Sequence, residues 1–154
     1  MGRFQVDTQQ VVKWALMIAE GMGYLHQRDP PIVHRDLSSN NILMDRKGVV
    51  KIGDFGLSKI KLHSKVSNHS KIAGTPNYVA PEVVRGQPFD EKADVFAYGV
   101  LLWEMTTRKV PWADWQPFQI QFRMWESGCA AVRETLKIPE GLEPTLSSLM
   151  WKCW

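Results

Sequence analysis

The stretch His34-Arg35-Asp36-Leu37-Ser38-Ser39-Asn40-Asn41, then Ile42-Leu43-Met44, Asp45-Arg46-Lys47-Gly48, Val49-Val50-Lys51-Ile52, and finally Asp54-Phe55-Gly56 decides how this chain is read. Ile42–Met44 and Val49–Ile52 are short runs of strand-forming residues, and Asp45–Gly48 between them has turn chemistry, which predicts a hairpin. A polar loop ends at Asn41 on one side of it and another opens at Asp54 on the other, so the hairpin fixes their separation. Taken singly, Asp36 reads as a solvated turn aspartate, Asn41 as a turn-capping amide and Asp54 as a surface loop acid.

Outward from this stretch the pattern is helical. Asp7 or Thr8 can cap a helix, with Gln10 placed for a capping box. Val11, Ala15, Ile18, Met22 and Leu25 then recur on one helical face. Asp29-Pro30-Pro31 stops that helix near Gln27, and Ile32-Val33 is a short β-type run. From Ser58 to Ile72 no period is visible. Lys59, Lys61, Lys65 and Lys71 occur there without an acidic residue, alongside Ser64, Ser67 and Ser70, which predicts a long basic loop. Asp94 to Thr107 is helical and apolar nearly all round, so it belongs in the core. Further helices are predicted from about Pro117 to Glu126 and from Pro144 onward. The fold class is therefore mainly α with a small β-hairpin element.

Composition bounds the alternatives. The chain has 154 residues, enough for one domain with a core. With 44% hydrophobic and 23% charged residues, it is neither collagen, low-complexity chain nor coiled coil. A net charge of +3 is too mild to argue for nucleic acid. Two cysteines, Cys129 and Cys153, exclude a disulfide scaffold and suggest a reducing, cytoplasmic setting. The longest apolar run, Val95 to Trp103, is too short for a membrane span. No signal peptide is expected. Met1-Gly2 lacks the hydroxyl residue that myristoylation wants at position 6, which is Val6, and the Asn68-His69-Ser70 sequon is read as chance.

Ala80-Pro81-Glu82 lies beyond the basic loop. Each short motif alone is weak, but their order, with the hairpin between the first two, is specific. On these motifs the chain resembles the C-terminal lobe of a eukaryotic protein kinase from about Asp7 to Trp154. Asp94-Val95-Phe96-Ala97-Tyr98-Gly99-Val100 and Val110-Pro111-Trp112 resemble the tyrosine-kinase-like group of serine/threonine kinases. The resemblance implies the C-terminal lobe of the kinase α+β fold, with the N-terminal lobe absent. Residues 1–154 would then be a partial kinase domain that stops before its final helices. It implies transfer of the ATP γ-phosphate to Ser or Thr hydroxyls of a protein substrate, with ATP and Mg²⁺ as cofactors. Asp36 would accept or orient the proton of the acceptor hydroxyl, Asn41 and Asp54 would hold Mg²⁺, and Leu43 would pack under adenine. Thr75 would hydrogen-bond Asp36 and help hold a small acceptor. His34 would pack on Phe55 as a structural residue in preference to a general base. Asp94 would hold backbone N–H groups of the catalytic loop. Arg35 would bind a phosphate on the activation loop, with Ser64, Ser67 and Ser70 as candidates.

The chain also departs from the pattern. Most serine/threonine kinases carry Lys where this chain has Ser38, and tyrosine kinases place Arg where it has Asn40, so its catalytic strength is expected to be lower. Gly74-Thr75-Pro76-Asn77-Tyr78 matches the serine/threonine form. No glycine-rich loop, strand lysine or hinge precedes the first helix, and the arginine expected to pair with Glu82 would lie past Trp154. The chain alone is therefore expected to fold poorly and to transfer no phosphate, with Leu146, Leu149, Met150 and Cys153 as an uncovered stripe. A catalytically silent kinase-derived binding module and a protein tyrosine kinase are the competing readings.

Overall fold

The computed structural model describes residues 7–60 and 74–154. Helix α1, Thr8–His26, buries Val11, Ala15, Ile18, Met22 and Leu25, the face that its spacing predicts. Asp7 caps it, but the side chain accepts from Gln9 N–H at 3.4 Å, so the reciprocal capping box through Gln10 is not formed. Helix α3, Lys92–Thr107, is the core element and is buried on most of its surface. Tyr98 OH donates to Ala15 O at 2.9 Å and pins α3 to α1. Burial pushes that phenol up to about 12.

Two small antiparallel sheets lie among the described residues. Strands β2, Ile42–Met44, and β3, Val50–Ile52, form the predicted hairpin, with Leu43 opposite Lys51. Asp45 Oδ1 closes its turn by accepting from Lys47 and Val49 N–H, which holds this carboxyl below its ordinary range. Strand β1, Ile32–Val33, pairs instead with β4, Lys59–Ile60, which the sequence reading had left in the basic loop. Two residues are too few to show a period of two, so only the partner reveals the strand. The rest of that stretch, with Ser64, Ser67, Ser70 and the Asn68 sequon, lies outside the described residues, as does Met1-Gly2.

Helices α2, Pro81–Val84, and α5, Cys129–Thr135, escaped the sequence reading because four and seven residues carry too little periodicity. Helix α4, Pro117–Ser127, starts at Gln116, which shares a reciprocal cap with Gln119. Helix α6, Pro144–Cys153, is capped by the Glu143 carboxylate on Leu146 N–H at 2.9 Å. Its apolar stripe is not uncovered. Leu146 and Met150 are buried, and Leu149 and Cys153 pack against the common core. The neighbour that covers it is α3, where Gly99 leaves room for the approach. Glu82 is half-buried and shares the surroundings of Cys129 with Arg85 and Arg133. No described helix is long and apolar enough to cross a membrane.

A Cβ on Gly99 would lie 2.5 Å from Cys153 Cβ and 2.6 Å from Trp154 Nε1, closer than packed atoms allow. Gly99→Ala is therefore expected to lower unfolding stability by about 1–3 kcal/mol through overpacking, read from a urea titration. An unchanged midpoint would mean that α6 shifts freely away from α3.

Candidate active site

The site is assembled around a buried carboxylate. Asp94, in the first turn of α3, is 2% exposed. Its Oδ2 accepts from His34 N–H at 2.8 Å and its Oδ1 from Arg35 N–H at 2.9 Å. His26 Nε2, at the end of α1, lies 2.9 Å from Oδ2 and donates to it. A buried charge is tolerable only when paired or fully hydrogen-bonded, so this arrangement fixes the loop that follows β1. That loop adopts a conformation side chains rarely choose: Arg35 has φ 72°, in the left-handed region.

His34 is fully buried, with both ring nitrogens engaged. Nε2 lies 3.1 Å from Gly53 O, and Nδ1 accepts from Asp36 N–H at 3.3 Å. A carbonyl can only accept, so Nε2 carries the hydrogen and Nδ1 offers its lone pair inward. The ring meets Phe55 edge-on at 5.1 Å. His34 therefore joins the two loops and has no nitrogen free for a substrate, which supports the structural reading.

Asp36, Asn41 and Thr75 come together. Thr75 N–H and Oγ–H both donate to Asp36 Oδ1 at 2.8 Å. Asn41 Nδ2 donates to Asp36 O at 2.7 Å and to Asp36 Oδ2 at 3.1 Å. Because its nitrogen is spent on Asp36, Asn41 presents its oxygen as the atom for a cation. Gly53 N–H donates to Asn41 O at 2.8 Å, which brings the open end of the hairpin together one residue before Asp54. Asp54 is exposed, with φ 55°, and its Oδ1 accepts from Gly56 N–H at 3.1 Å. This donor set fits Mg²⁺: one amide oxygen, one carboxylate and room for water or phosphate oxygens. Among the described residues no group of three or more His, Cys, Asp or Glu side chains forms a cage of its own. Leu43 is 58% exposed on β2, open to a ring stacked above it.

Arg35 runs back under the site. Its Nη1 donates to Leu57 O at 3.1 Å and its guanidinium lies 5.5 Å above the Phe89 ring. Burial pushes this guanidinium down from its ordinary value, and the Asp94 charge opposes that shift. Nη2 is buried with no hydrogen-bond partner among the described residues. Ser38, at the position of the expected lysine, is fully buried, with its Oγ 3.5 Å from Thr75 Oγ. Its hydroxyl is thus closed off from solvent beside Thr75. Sequence reasoning missed His26 as a partner of Asp94, and it missed Glu104, which binds Tyr78 and Ser39. These partners stand 68 and up to 65 residues apart, and no local pattern links them.

The chain is thus a helical lobe with a two-strand hairpin, a carboxylate gripped by threonine and asparagine, and an aspartate in a left-handed turn beyond the hairpin. The chain belongs to the protein tyrosine and serine/threonine kinase family, whose pattern it matches over residues 3–154. It is 44% identical over 155 residues to serine/threonine-protein kinase CTR1 of Arabidopsis thaliana, covering 99% of this chain and 18% of that protein. Probable serine/threonine-protein kinase SIS8 of the same plant is 43% identical over 150 residues, 97% of this chain and 14% of the relative. Serine/threonine-protein kinase STY46, also from Arabidopsis thaliana, is 40% identical over 153 residues, 99% of this chain and 25% of the relative. The chain thus spans a quarter or less of the length of these curated relatives.

Asp94→Ala removes the acceptor of two backbone N–H groups and of His26. Each orphaned buried donor costs about 1–3 kcal/mol, so a loss of at least about 3 kcal/mol is expected in chemical denaturation. Asp94→Asn keeps one carbonyl oxygen and should lose less. A loss under about 1 kcal/mol in the alanine variant would mean that water replaces the carboxylate.

Proposed function

We propose that this chain is the catalytic lobe of an ATP-dependent protein serine/threonine kinase of the tyrosine-kinase-like group, moving the γ-phosphate of ATP to Ser or Thr hydroxyls of proteins. The observation that carries the reading is the double grip on Asp36, by Thr75 on Oδ1 and by Asn41 on Oδ2, beside Asp54. Phosphoryl transfer asks the protein for positioning and charge neutralisation, not covalent chemistry. Asp36 accepts or orients the proton of the acceptor hydroxyl. Thr75 holds that carboxylate and keeps the acceptor side short. Asn41 and Asp54 hold Mg²⁺, and Leu43 carries the adenine ring. Held by Asn41 and Asp54, Mg²⁺ would supply positive charge against the phosphates of ATP. With Ser38 buried, the cation usually found at its position must be replaced from elsewhere.

The printed names of the relatives support Ser/Thr acceptors over tyrosine. Retention of Asp36, Asn41 and Asp54 together supports catalysis over a silent binding module. We extend the reading to regulation: Arg35 Nη2, which has no hydrogen-bond partner among the described residues, would take a phosphate carried on Ser64, Ser67 or Ser70. The low cysteine count supports a cytoplasmic place of work.

Asp36→Asn and Asp54→Asn in the full-length protein are each expected to slow single-turnover transfer at least about 100-fold, the usual scale of a general-base contribution. Near-normal turnover by Asp36→Asn at saturating Mg-ATP would overturn its role, and an unlabelled wild-type reaction would favour the binding module.

Acceptor type is decided separately with a degenerate peptide library. Label is expected on Ser and Thr, and label confined to Tyr would install the tyrosine-kinase reading instead.

A further inference from the structure

The two short turns that carry the site are clamped at a second point, away from Asp36. One 3₁₀ turn, Ser39–Asn41, ends in the amide that holds Asp36 Oδ2. The other, Pro76–Tyr78, begins directly after the threonine that holds Asp36 Oδ1. At their far ends both turns meet Glu104 of α3. Ser39 Oγ donates to Glu104 Oε1 at 3.2 Å, and Tyr78 OH donates to Glu104 Oε2. Ser39 Oγ and Tyr78 OH are themselves 3.2 Å apart. The contacts close a ring: Asp36 to Thr75, along the turn to Tyr78, across Glu104 to Ser39, along the turn to Asn41 and back to Asp36.

We propose that Glu104 is a positioning residue for the phosphoryl acceptor, holding Thr75 and Asn41 in register while Asp36 engages the acceptor hydroxyl. The inference rests on the kinase reading above. A three-residue turn tied at one end can pivot; tied at both ends it cannot. Asp36 has both carboxylate oxygens occupied before any acceptor arrives. Handling a third group weakens one of those grips, and the Glu104 end then helps to hold Thr75. Tyr78 is suited to this task. It is 6% exposed, and burial together with the Glu104 carboxylate holds its phenol above the ordinary value, so it stays a donor throughout the neutral range. Tyr78 OH and Ser39 Oγ share one carboxylate on a core helix, so neither turn can move without disturbing the other.

The test uses the full-length protein, with transfer to a Ser/Thr peptide and ATP hydrolysis without peptide measured side by side. Glu104→Ala is expected to lower kcat for peptide transfer about 10–100-fold, the scale of a misplaced reacting group. Peptide-independent hydrolysis should fall clearly less than transfer, and the KM for ATP should stay within about 2-fold, since Asn41 keeps its own two bonds to Asp36. Glu104→Gln keeps an acceptor oxygen and should recover part of the loss. Ser39→Ala and Tyr78→Phe each remove one hydroxyl, are expected to fold even if Glu104→Ala does not, and should lose transfer in the same selective way. In the Glu104→Ala background they should add nothing further, as members of one unit do. Equal losses of transfer and hydrolysis, or a lower melting temperature with unchanged kcat and KM, would overturn the inference alone. A wild-type protein that neither hydrolyses ATP nor labels peptide would overturn the kinase reading and this inference with it.

Discussion

Everything at the site hangs from one buried carboxylate. Asp94 sits at the start of the core helix with almost no access to water, where a charge needs donors or becomes a liability. It takes two from consecutive backbone amides and a third from His26. The result is mechanical as much as electrostatic. The most rigid element of the lobe grips the backbone of the catalytic loop directly, and the loop accepts a left-handed residue at Arg35 as the cost. Asp36 therefore leaves the loop from a fixed point, not from a swinging tether.

The second constraint comes from the other side. Pairing of β1 with β4 delivers His34 and Ser58 to the same place, where Ser58 Oγ donates to His34 O at 3.3 Å. Together with the buried His34 ring against Phe55, this stitches the loop that carries Asp36 to the turn that carries Asp54. Asp36 and Asp54 thus stand on separate segments that these contacts tie together.

Much of this was readable before any coordinates. The α1 stripe from Val11 to Leu25, the hairpin around Asp45–Gly48, the all-round apolar α3 and the order of the short motifs are local or short-range patterns. The roles of Asp36, Asn41, Thr75 and Asp94 came with the family resemblance, and of the contacts it implied, Thr75 to Asp36 and the loop amides to Asp94 stand at hydrogen-bond distance. What stayed hidden was non-local or too short. The β1–β4 pair joins Ile32 to Ile60 and Val33 to Lys59, far apart in sequence and with only two residues a side. No local pattern links Glu104 to Ser39 or Tyr78. The α6 stripe was misjudged because Leu146 and Met150 declare an apolar face but not which helix receives it, and Gly99 on α3 is the receiver.

The hairpin is asymmetric. Its open end, where Gly53 N–H meets Asn41 O, carries the candidate ligands, while its closed end is an exposed turn held by Asp45, through its side chain and through its backbone with Gly48 and Val49. Register along β2 and β3 passes position from one end to the other without depending on what closes the loop. The closed end is thus free to vary in length and sequence over evolutionary time. Insertions there would add surface to the protein, even a graft of several residues, while the spacing between Asn41 and Asp54 stayed as it is.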